Sequence, residues 1–234
     1  EVAFHRLREL ESLRDSLVHM IVHDLISPLA ATDALLEFLR RAEEERLSED
    51  ARSALQECRG AVARMKSMAR SVLDVSKMEA GAMRLTRQRF DLAEICRDLL
   101  AGMRGIVEER KVVLDAEGAA PVQADVDLVT RVVQNLIANA LKFTARNGEI
   151  RAVIRAEGEV LRFSLTDTGP GVPREFQEKI FEKFGQVEAH STGMRKSAGL
   201  GLTFCKMAVE AHGGHIGVES DGKRGSTFWF TLPR

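Results

Sequence analysis

The first 80 or so residues carry apolar side chains at helical spacing and show no strand-like alternation. One stripe recurs every three or four positions, at Leu17, Ile21, Leu25, Pro28, Thr32, Leu35 and Leu39, and a similar stripe precedes it at Phe4, Leu7, Leu10 and Leu13. The spacing predicts one long amphipathic helix. A kink is expected at Pro28 at most, because proline lacks the N–H that the helix interior uses.

A second helix is predicted after the charged stretch RRAEEERLSED. Ser48 is suited to cap it, and Glu49 and Asp50 fall where the helix dipole favours acids. Its apolar positions follow heptad spacing, at Leu55, Cys58, Val62, Met65, Ala69 and Val72. Two long helices with a short connection form an antiparallel hairpin, and one hairpin cannot bury both stripes. We therefore expect a homodimer in which two hairpins make a four-helix bundle.

The pattern changes after Gly81, where alternating runs and shorter helices follow one another. Strands are predicted in RLTRQRFDL, KVVLDAEG and PVQAD, a hairpin around EGE at 157–159, and a closing hairpin in HIGVESDGKRGSTFWFTLP. Helices are predicted to open at Asp91, to span about 125–144, to start at Pro173, and to stop at Gly213 and Gly214. The predicted fold class is α+β, with a helical hairpin at 1–82 and an α/β sandwich with a mixed sheet at 83–234.

Composition narrows the possible functions. The chain has 234 residues, is 44% hydrophobic and 29% charged, and carries a formal net charge of −1. This balance argues against disorder and gives no support for nucleic-acid binding on a basic surface. No apolar run approaches the roughly 20 residues that cross a bilayer, so we expect a cytoplasmic segment without membrane contact. Because the sequence begins with Glu1, we also expect a longer protein, whose other parts could include a membrane anchor.

The three cysteines are Cys58, Cys96 and Cys205. An odd, widely spaced set makes neither a disulfide framework nor a CxxC metal site. It indicates a reducing compartment, in which all three serve as small apolar residues.

Three polar residues interrupt the apolar helix at 125–144. Asn135, Asn139 and Lys142 stand at i, i+4 and i+7 and therefore share one narrow face. Two amide oxygens and an ammonium suit a magnesium–polyphosphate group, because Mg²⁺ takes few protein oxygens and shares the rest with water and phosphate. On this pattern alone, a solvated helix edge is an equally good interpretation.

The segment LRFSLTDTGPGV ends a predicted strand with a carboxylate. Asp167 shares its strand face with apolar residues and needs a hydrogen-bond donor, such as the amino group of adenine, to offset its desolvation. Gly169 and Gly171 let the backbone approach a flat ring. A plain Asp-x-Gly turn explains the same letters equally well.

The segment SAGLGL, 197–202, opens a helix with Gly199 and Gly201. Backbone amides at a helix N-terminus bind phosphate oxygens. Arg195 and Lys196, just upstream, are placed to reach terminal phosphate charge. A flexible loop with ordinary surface cations remains the alternative.

The order of these segments carries more information than any one of them. The chain reads NLIANALKFT, DTGPG, IFEKFGQ, a polar loop, GLGL and GSTFWFTL. This set closely resembles the N, G1, F and G2 boxes of the ATP-binding domain of sensor histidine kinases, over about residues 85–234. That domain belongs to the wider GHKL group with the Bergerat nucleotide fold. VHDLISPL, upstream, resembles the H box of the dimerisation and histidine-phosphotransfer domain.

The resemblance implies an ATP-dependent protein-histidine kinase of a two-component system. His23 would be autophosphorylated from Mg-ATP and would pass the phosphoryl group to an aspartate in the receiver domain of a response regulator. On an ideal helix, His23 lies about 200° from both Ile21 and Leu25 and so points away from that stripe. His19 shares the outward face but lacks a following acid and proline.

The resemblance also assigns individual residues. Asp24 would hold or deprotonate the His23 imidazole, Asp167 would bind adenine, and Asn139, assisted by Asn135, would hold Mg²⁺. With Ser27, His23 and Asp24 form the implied catalytic set. The implied nucleotide-binding set comprises Asn135, Asn139, Lys142, Phe143, Asp167, Gly169, Gly171, Val172, Phe184, Arg195, Lys196, Gly199, Leu200, Gly201, Leu202 and Thr227.

Some positions depart from the family pattern. Ser27 stands where Thr or Asn often supports dephosphorylation of the regulator, which leaves phosphatase activity open. Asn135 stands where the hydrolytic GHKL members carry a Glu that activates water, and a neutral amide cannot take a proton from water. This favours transfer to a protein over ATP hydrolysis. A nucleotide-binding scaffold without phosphotransfer, or a GHKL-type ATPase, remains the alternative.

Overall fold

One helical unit and one α/β unit make up the chain. The computed structural model describes residues 2–42, 47–103, 110–116, 118, 120–183, 185 and 199–234, and in the first helix it describes the side chains of 18, 20–22 and 24–42. The two compact units comprise residues 1–83 and 84–234.

Two helices form the first unit, α1 (Val2–Ala42) and α2 (Glu49–Glu79). The predicted long helix is confirmed, with Pro28 inside it. The Thr32 hydroxyl donates to the carbonyl of Pro28 at 2.9 Å. Ser48 caps α2 as predicted, because its Oγ accepts a hydrogen bond from the Ala51 amide at 3.2 Å.

Ion pairs between α1 and α2 set the register of the hairpin. Lys66 Nζ lies 2.8 Å from Asp33 Oδ2, and Arg59 Nη2 lies 3.0 Å from Glu37 Oε2. Hydrogen bonds from Arg40 and Arg41 hold the pKa of Glu37 down to about 2. Glu37 is therefore ionised at any physiological pH, and its contacts with α2 persist.

The hairpin buries one side of its apolar surface and exposes the other. Val22, Val62 and Val75 are at most 5% exposed. The large apolar side chains on the remaining surface are 43–65% exposed: Met20, Ile21, Leu25, Leu35, Phe38, Leu39, Met65 and Met68. A single hairpin thus leaves much of both predicted stripes uncovered, as the heptad argument expects.

The second unit contains two sheets and three helices among its described residues. The strands are β1 (Arg87–Asp91), β2 (Lys111–Ala116), β3 (Pro121–Asp125), β4 (Glu149–Glu157), β5 (Val160–Asp167), β6 (Ile216–Glu219) and β7 (Ser226–Pro233). The helices are α3 (Leu92–Gly102), α4 (Val126–Phe143) and α5 (Gly201–Ala211). The five-stranded sheet has the order β2-β4-β5-β7-β6, parallel only between β2 and β4, while β1 and β3 form a separate antiparallel pair. The predicted mixed sheet is confirmed.

The segment after Pro173 differs from its prediction. Instead of one short helix it forms two 3₁₀ turns, Arg174–Phe176 and Lys179–Phe181. The neighbouring side chains of Ile180 and Phe181 are both buried, at 6% exposed each. The backbone hydrogen bonds of this segment span three positions, as from the Phe176 amide to the Pro173 carbonyl, so its apolar side chains are buried from 3₁₀ turns instead of an α-helix.

The core lies between one face of the five-stranded sheet and helices α4 and α5. Along β5, alternation buries Leu161, Phe163 and Leu165, and the next position on that face is Asp167. Phe163 stacks on Phe230 of β7 with ring centroids 5.0 Å apart. The apolar face of α4 is buried as well, including Val133 and Leu136 at 0% exposed. This packing fixes the strand that carries Asp167.

We expect Asp91→Ala to lower the free energy of unfolding of the second unit by about 1–3 kcal/mol. Asp91 Oδ1 accepts hydrogen bonds from the amides of Ala93 at 2.8 Å and Ala120 at 3.1 Å, so it both caps α3 and ties down the start of β3. Denaturant unfolding followed by the fluorescence of Trp229, the chain's one tryptophan, reports on this unit.

Asp98→Ala is the matched control, because Asp98 is exposed near the end of the same helix. Its effect should stay within about 0.5 kcal/mol. Equal destabilisation by both variants would contradict the role assigned to Asp91.

Candidate functional site

One face of helix α4 carries a polar line of three residues, Asn135, Asn139 and Lys142, as the sequence predicts. Asn135, Asn139 and Lys142 are half-buried, while the opposite face of the helix is buried against the sheet. Partial burial lowers the pKa of the Lys142 ammonium. Its Nζ lies 4.8 Å from the centroid of the Phe143 ring, which is itself 40% exposed. The helix thus carries two amides and a cation that has lost part of its hydration.

Asp167 is a buried carboxylate at the end of β5. It is 5% exposed, and burial raises the pKa of its carboxyl group above the ordinary value. Hydrogen bonds from the backbone amides of Gly169, at 2.8 Å, and Ser226 oppose that rise in pKa. A carboxylate held in such surroundings gains from a further donor, such as an amino group.

The turn after Asp167 meets the end of α4. A Cβ placed on Gly169 would lie 3.0 Å from the carbonyl oxygen of Phe143 and 2.7 Å from Asp167 Oδ1. Only a glycine allows this close approach without displacing either neighbour. The structure therefore brings the end of the polar line and the buried carboxylate together.

The start of α5 packs against the polar line from the other side. A Cβ on Gly201 would lie 3.3 Å from Asn135 Oδ1. Leu200 is the N-cap residue and supplies no side-chain cap, so it leaves the first amides of the helix to other acceptors. Leu200 is buried, whereas Gly199 and Leu202 are half-buried. The predicted glycine turn thus lies beside Asn135.

A buried thiol lies behind Asn135. The Cys205 thiol donates to the Val132 carbonyl at 3.8 Å, and burial raises the pKa of this thiol to about 12, a rise that the neighbouring Asn135 side chain opposes. The sequence predicts Cys205 only as a small apolar residue. The i+4 spacing from Gly201 is the signal that could have placed the thiol next to the polar line.

The structure does not bring Thr227 into this cluster. Its hydroxyl lies 2.9 Å from that of Thr166, on the face of the sheet opposite Asp167. Ser226 pairs with Asp167 instead and is 6% exposed. The physical reason is strand alternation, since Phe228 and Phe230 share the buried face with Ser226.

The other predicted site residues lie on α1, outside the described residues, or in the loop that follows Asp167. Asp24 and Ser27 are exposed on α1, while the side chain of His23 lies outside the described residues. Phe184, Arg195 and Lys196 also lie outside them. Gly171 and Val172 follow Asp167 in the same loop, and Val172 is 9% exposed.

Within the described part of the chain, no group of three or more His, Cys, Asp or Glu could hold a metal ion. The same residues contain no helix that is both long enough and apolar enough to cross a membrane. A metal at this site would therefore depend on amide oxygens and on the oxygens of a bound ligand.

Two protein-family models match the chain. Residues 13–81 match the His Kinase A (phospho-acceptor) domain. Residues 124–234 match the histidine kinase-, DNA gyrase B-, and HSP90-like ATPase family. The first match covers the helical hairpin, and the second covers α4, the Asp167 turn and α5.

Relatives match across both halves. The adaptive-response sensory kinase SasA of Microcystis aeruginosa is 32% identical over 235 residues, which cover 97% of this chain and 61% of the relative. The sensor histidine kinase TmoS of Ectopseudomonas mendocina is 31% identical, over 100% of this chain and 24% of the relative. The chain therefore spans less than two thirds of these curated relatives.

Solved structures agree with this assignment. The crystal structure of full-length ShkA in complex with AMPPNP has a TM-score of 0.73 and 27% sequence identity, covering 93% of this chain and 45% of that one. The chain carries a phospho-acceptor domain and an ATPase-type domain, and together with the sensor kinase relatives they support a histidine kinase transmitter core.

Proposed function

We propose that this chain is an ATP-dependent protein-histidine kinase that autophosphorylates His23 and passes the phosphoryl group to an aspartate of a response regulator. The observation that carries the proposal is the buried Asp167 carboxylate facing the polar line of α4 across the Gly169 turn. Its presence in a chain that also carries a phospho-acceptor hairpin favours transfer to histidine over a purely regulatory role.

In the ATP-binding half, Asp167 accepts a hydrogen bond from the amino group of adenine. Gly169, Gly171 and Val172 form the loop against the base, and Lys142 offsets phosphate charge. The amides that open α5 at Gly201 and Leu202 suit phosphate oxygens, because a helix N-terminus carries partial positive charge. On the family resemblance alone, Phe184, Arg195 and Lys196 also contact the nucleotide.

Mg²⁺ fits the donor set that α4 offers. Asn139 supplies an amide oxygen on a half-buried face next to Lys142, which suits an ion that keeps most of its coordination for water and phosphate. Asn135, one turn earlier on the same half-buried face, assists with a second amide oxygen. The ion would neutralise phosphate charge as the terminal phosphoryl group leaves.

In the helical half, the neutral imidazole of His23 attacks the γ-phosphorus of ATP. A nitrogen–phosphorus bond forms, the bond from phosphorus to the β–γ bridging oxygen breaks, and ADP leaves. Asp24 accepts or orients the proton on the other ring nitrogen, as carboxylates do beside catalytic histidines. A neutral imidazole carries a lone pair on one ring nitrogen, and this nitrogen is the attacking atom.

We expect His23→Gln to abolish incorporation of ³²P from γ-labelled ATP, because no other nitrogen in the H box can take the phosphoryl group. The parent chain's label should be lost in acid and survive alkali, as phosphohistidine does. Chelation of Mg²⁺ should abolish labelling of the parent chain.

His19→Gln is the matched control and should label like the parent, since His19 lacks the following acid and proline. Labelling of His23→Gln at the parental level would refute the assignment. Consumption of ATP without any labelled protein would favour the ATPase alternative.

We expect Asp167→Asn to weaken ATP binding at least tenfold, which corresponds to the loss of about 1.5–3 kcal/mol for a hydrogen bond to a charged group. Since burial raises the carboxyl pKa, ATP affinity of the parent should fall as the pH drops toward that raised value, and this part of the pH dependence should vanish in the variant. Titration calorimetry with ATP between pH 5 and pH 8, with Asp127→Asn as an exposed control, measures both.

The same substitution should leave stability intact. A carboxyl group whose pKa is raised by folding contributes stability below its unfolded pKa and loses that contribution as the pH rises through its folded pKa. At pH 7 the ionised Asp167 is therefore a cost, and Asp167→Asn should melt no lower than the parent. A lower melting temperature together with parental ATP affinity would contradict both expectations.

The homodimer is proposed on the uncovered stripes of the hairpin. Leu35, Phe38 and Leu39 are 48–65% exposed on α1, and exposed apolar side chains that lie together are typical of an interaction surface. A second copy of the hairpin offers a complementary surface of the same kind.

We expect Leu35→Asp to shift the chain from dimer to monomer in sedimentation velocity, because it places a charge in the proposed bundle core. Ala63→Asp introduces the same charge on the far side of α2, about 200° from Met65, and should leave the dimer intact. Identical sedimentation of Leu35→Asp and parent would contradict this interface.

A further inference from the structure

The loop that follows Asp167 is fastened by a second loop that lies far from it in sequence. Ser220 follows β6, and its Oγ accepts a hydrogen bond from the Val172 amide at 2.9 Å across 48 positions of sequence. The same hydroxyl donates to the Gly225 carbonyl at 2.7 Å. It also accepts from the Gly222 amide at 3.2 Å. One side chain thus holds both its own loop and the loop of Asp167.

Gln177 completes the connection from a third segment. Its Nε2 donates to the Val172 carbonyl at 3.0 Å and to the Ser220 carbonyl at 2.8 Å. The amide and the carbonyl of Val172 are therefore both taken, one by Ser220 and the other by Gln177. The Gly225 amide adds a third tie, since it donates to the Gly169 carbonyl at 2.7 Å.

The two loops touch at backbone level. Gly171 has a φ of +80°, and a Cβ there would lie 2.9 Å from both the Lys223 amide nitrogen and Ser220 Oγ. Such a contact leaves the 169–172 loop little room to move independently of the 220–225 loop. Gly169 in turn donates to Asp167 at 2.8 Å, so the fastening reaches the buried carboxylate.

We infer that Ser220 and Gln177 are positioning residues for nucleotide binding, and that they act by holding the Gly169–Val172 loop in the shape that receives the base. This rests on the proposed function, because it presumes that the Asp167 loop binds adenine. Both residues lie outside the boxes that the sequence patterns mark. Neither touches the phosphate-binding amides of α5 or the amide ligand proposed for Mg²⁺.

Loss of either positioning residue should change nucleotide affinity and leave the rate of phosphoryl transfer unchanged. Loosening the base-binding loop weakens all adenine nucleotides alike, so ATP and ADP affinities should fall by the same factor. KM for ATP should rise while kcat at saturating ATP stays within twofold of the parent, because the transferring phosphate is held by other groups. Loss of Lys142, by contrast, should weaken ATP more than ADP.

Ser220→Ala tests this in the full chain, with ATP and ADP titrated separately in a calorimeter. It leaves the Val172 amide without its acceptor, and we expect both dissociation constants to rise about tenfold. Ser220→Thr keeps the hydroxyl and should restore binding to near the parental value. Ser164→Ala is the control, because Ser164 lies on the face of β5 opposite Asp167. It should leave both dissociation constants unchanged.

Gln177→Leu supplies a second, independent variant, with Gln123→Leu on β3 as its exposed control. It should also raise both dissociation constants equally, even if Ser220→Ala fails to fold. The inference is wrong if both Ser220→Ala and Gln177→Leu keep the parental affinity, or if they lower kcat and leave KM unchanged. Either result would leave the proposed function standing. A parent chain that binds neither nucleotide would instead overturn the proposed function.

Discussion

The catalytic half of this protein is organised around a carboxylate that has been taken out of water. Asp167 occupies a position on β5 that alternation assigns to the core, and its carboxylate accepts hydrogen bonds from the backbone amides of Gly169 and Ser226. Two amides oppose the rise in its pKa without cancelling it. The site is therefore built to gain from a ligand that donates a hydrogen bond at that point.

The helical half differs from the catalytic half, because it exposes apolar side chains to water where the catalytic half buries a charge. Ion pairs from Lys66 to Asp33 and from Arg59 to Glu37 fix how α1 lies along α2, yet they cover none of the outward stripe. Leu35 and Phe38 remain among its most exposed apolar side chains. Such a hairpin, with ion pairs between its two helices and apolar side chains on its outer face, is suited to self-association. The shapes of the apolar side chains would then determine which partner fits.

Most of this architecture follows from local patterns, and the exceptions have physical causes. Ser48 and Asp91 are predicted as helix caps from residue type and position, and both accept the expected backbone amides. Thr227 is predicted to lie at the nucleotide site, but strand alternation, counted back from Phe228, puts its side chain on the sheet face opposite Asp167 and puts Ser226 on the face of Asp167. The contact of Ser220 with Val172 spans 48 positions and depends on how two loops meet, which no local periodicity encodes.

The surroundings of Asn135 bear on the choice between hydrolysis and transfer to histidine. Hydrolysis needs a proton acceptor near the attacking water, and the family resemblance places that acceptor at this position of the helix. Here the amide of Asn135 is neutral, and burial raises the pKa of the neighbouring Cys205 thiol to about 12, so the thiol stays protonated near neutrality. Neither group can act as a base at cellular pH. A bound ATP would then meet no activated water at this point, which favours an external nucleophile that brings its own carboxylate, as His23 does with Asp24.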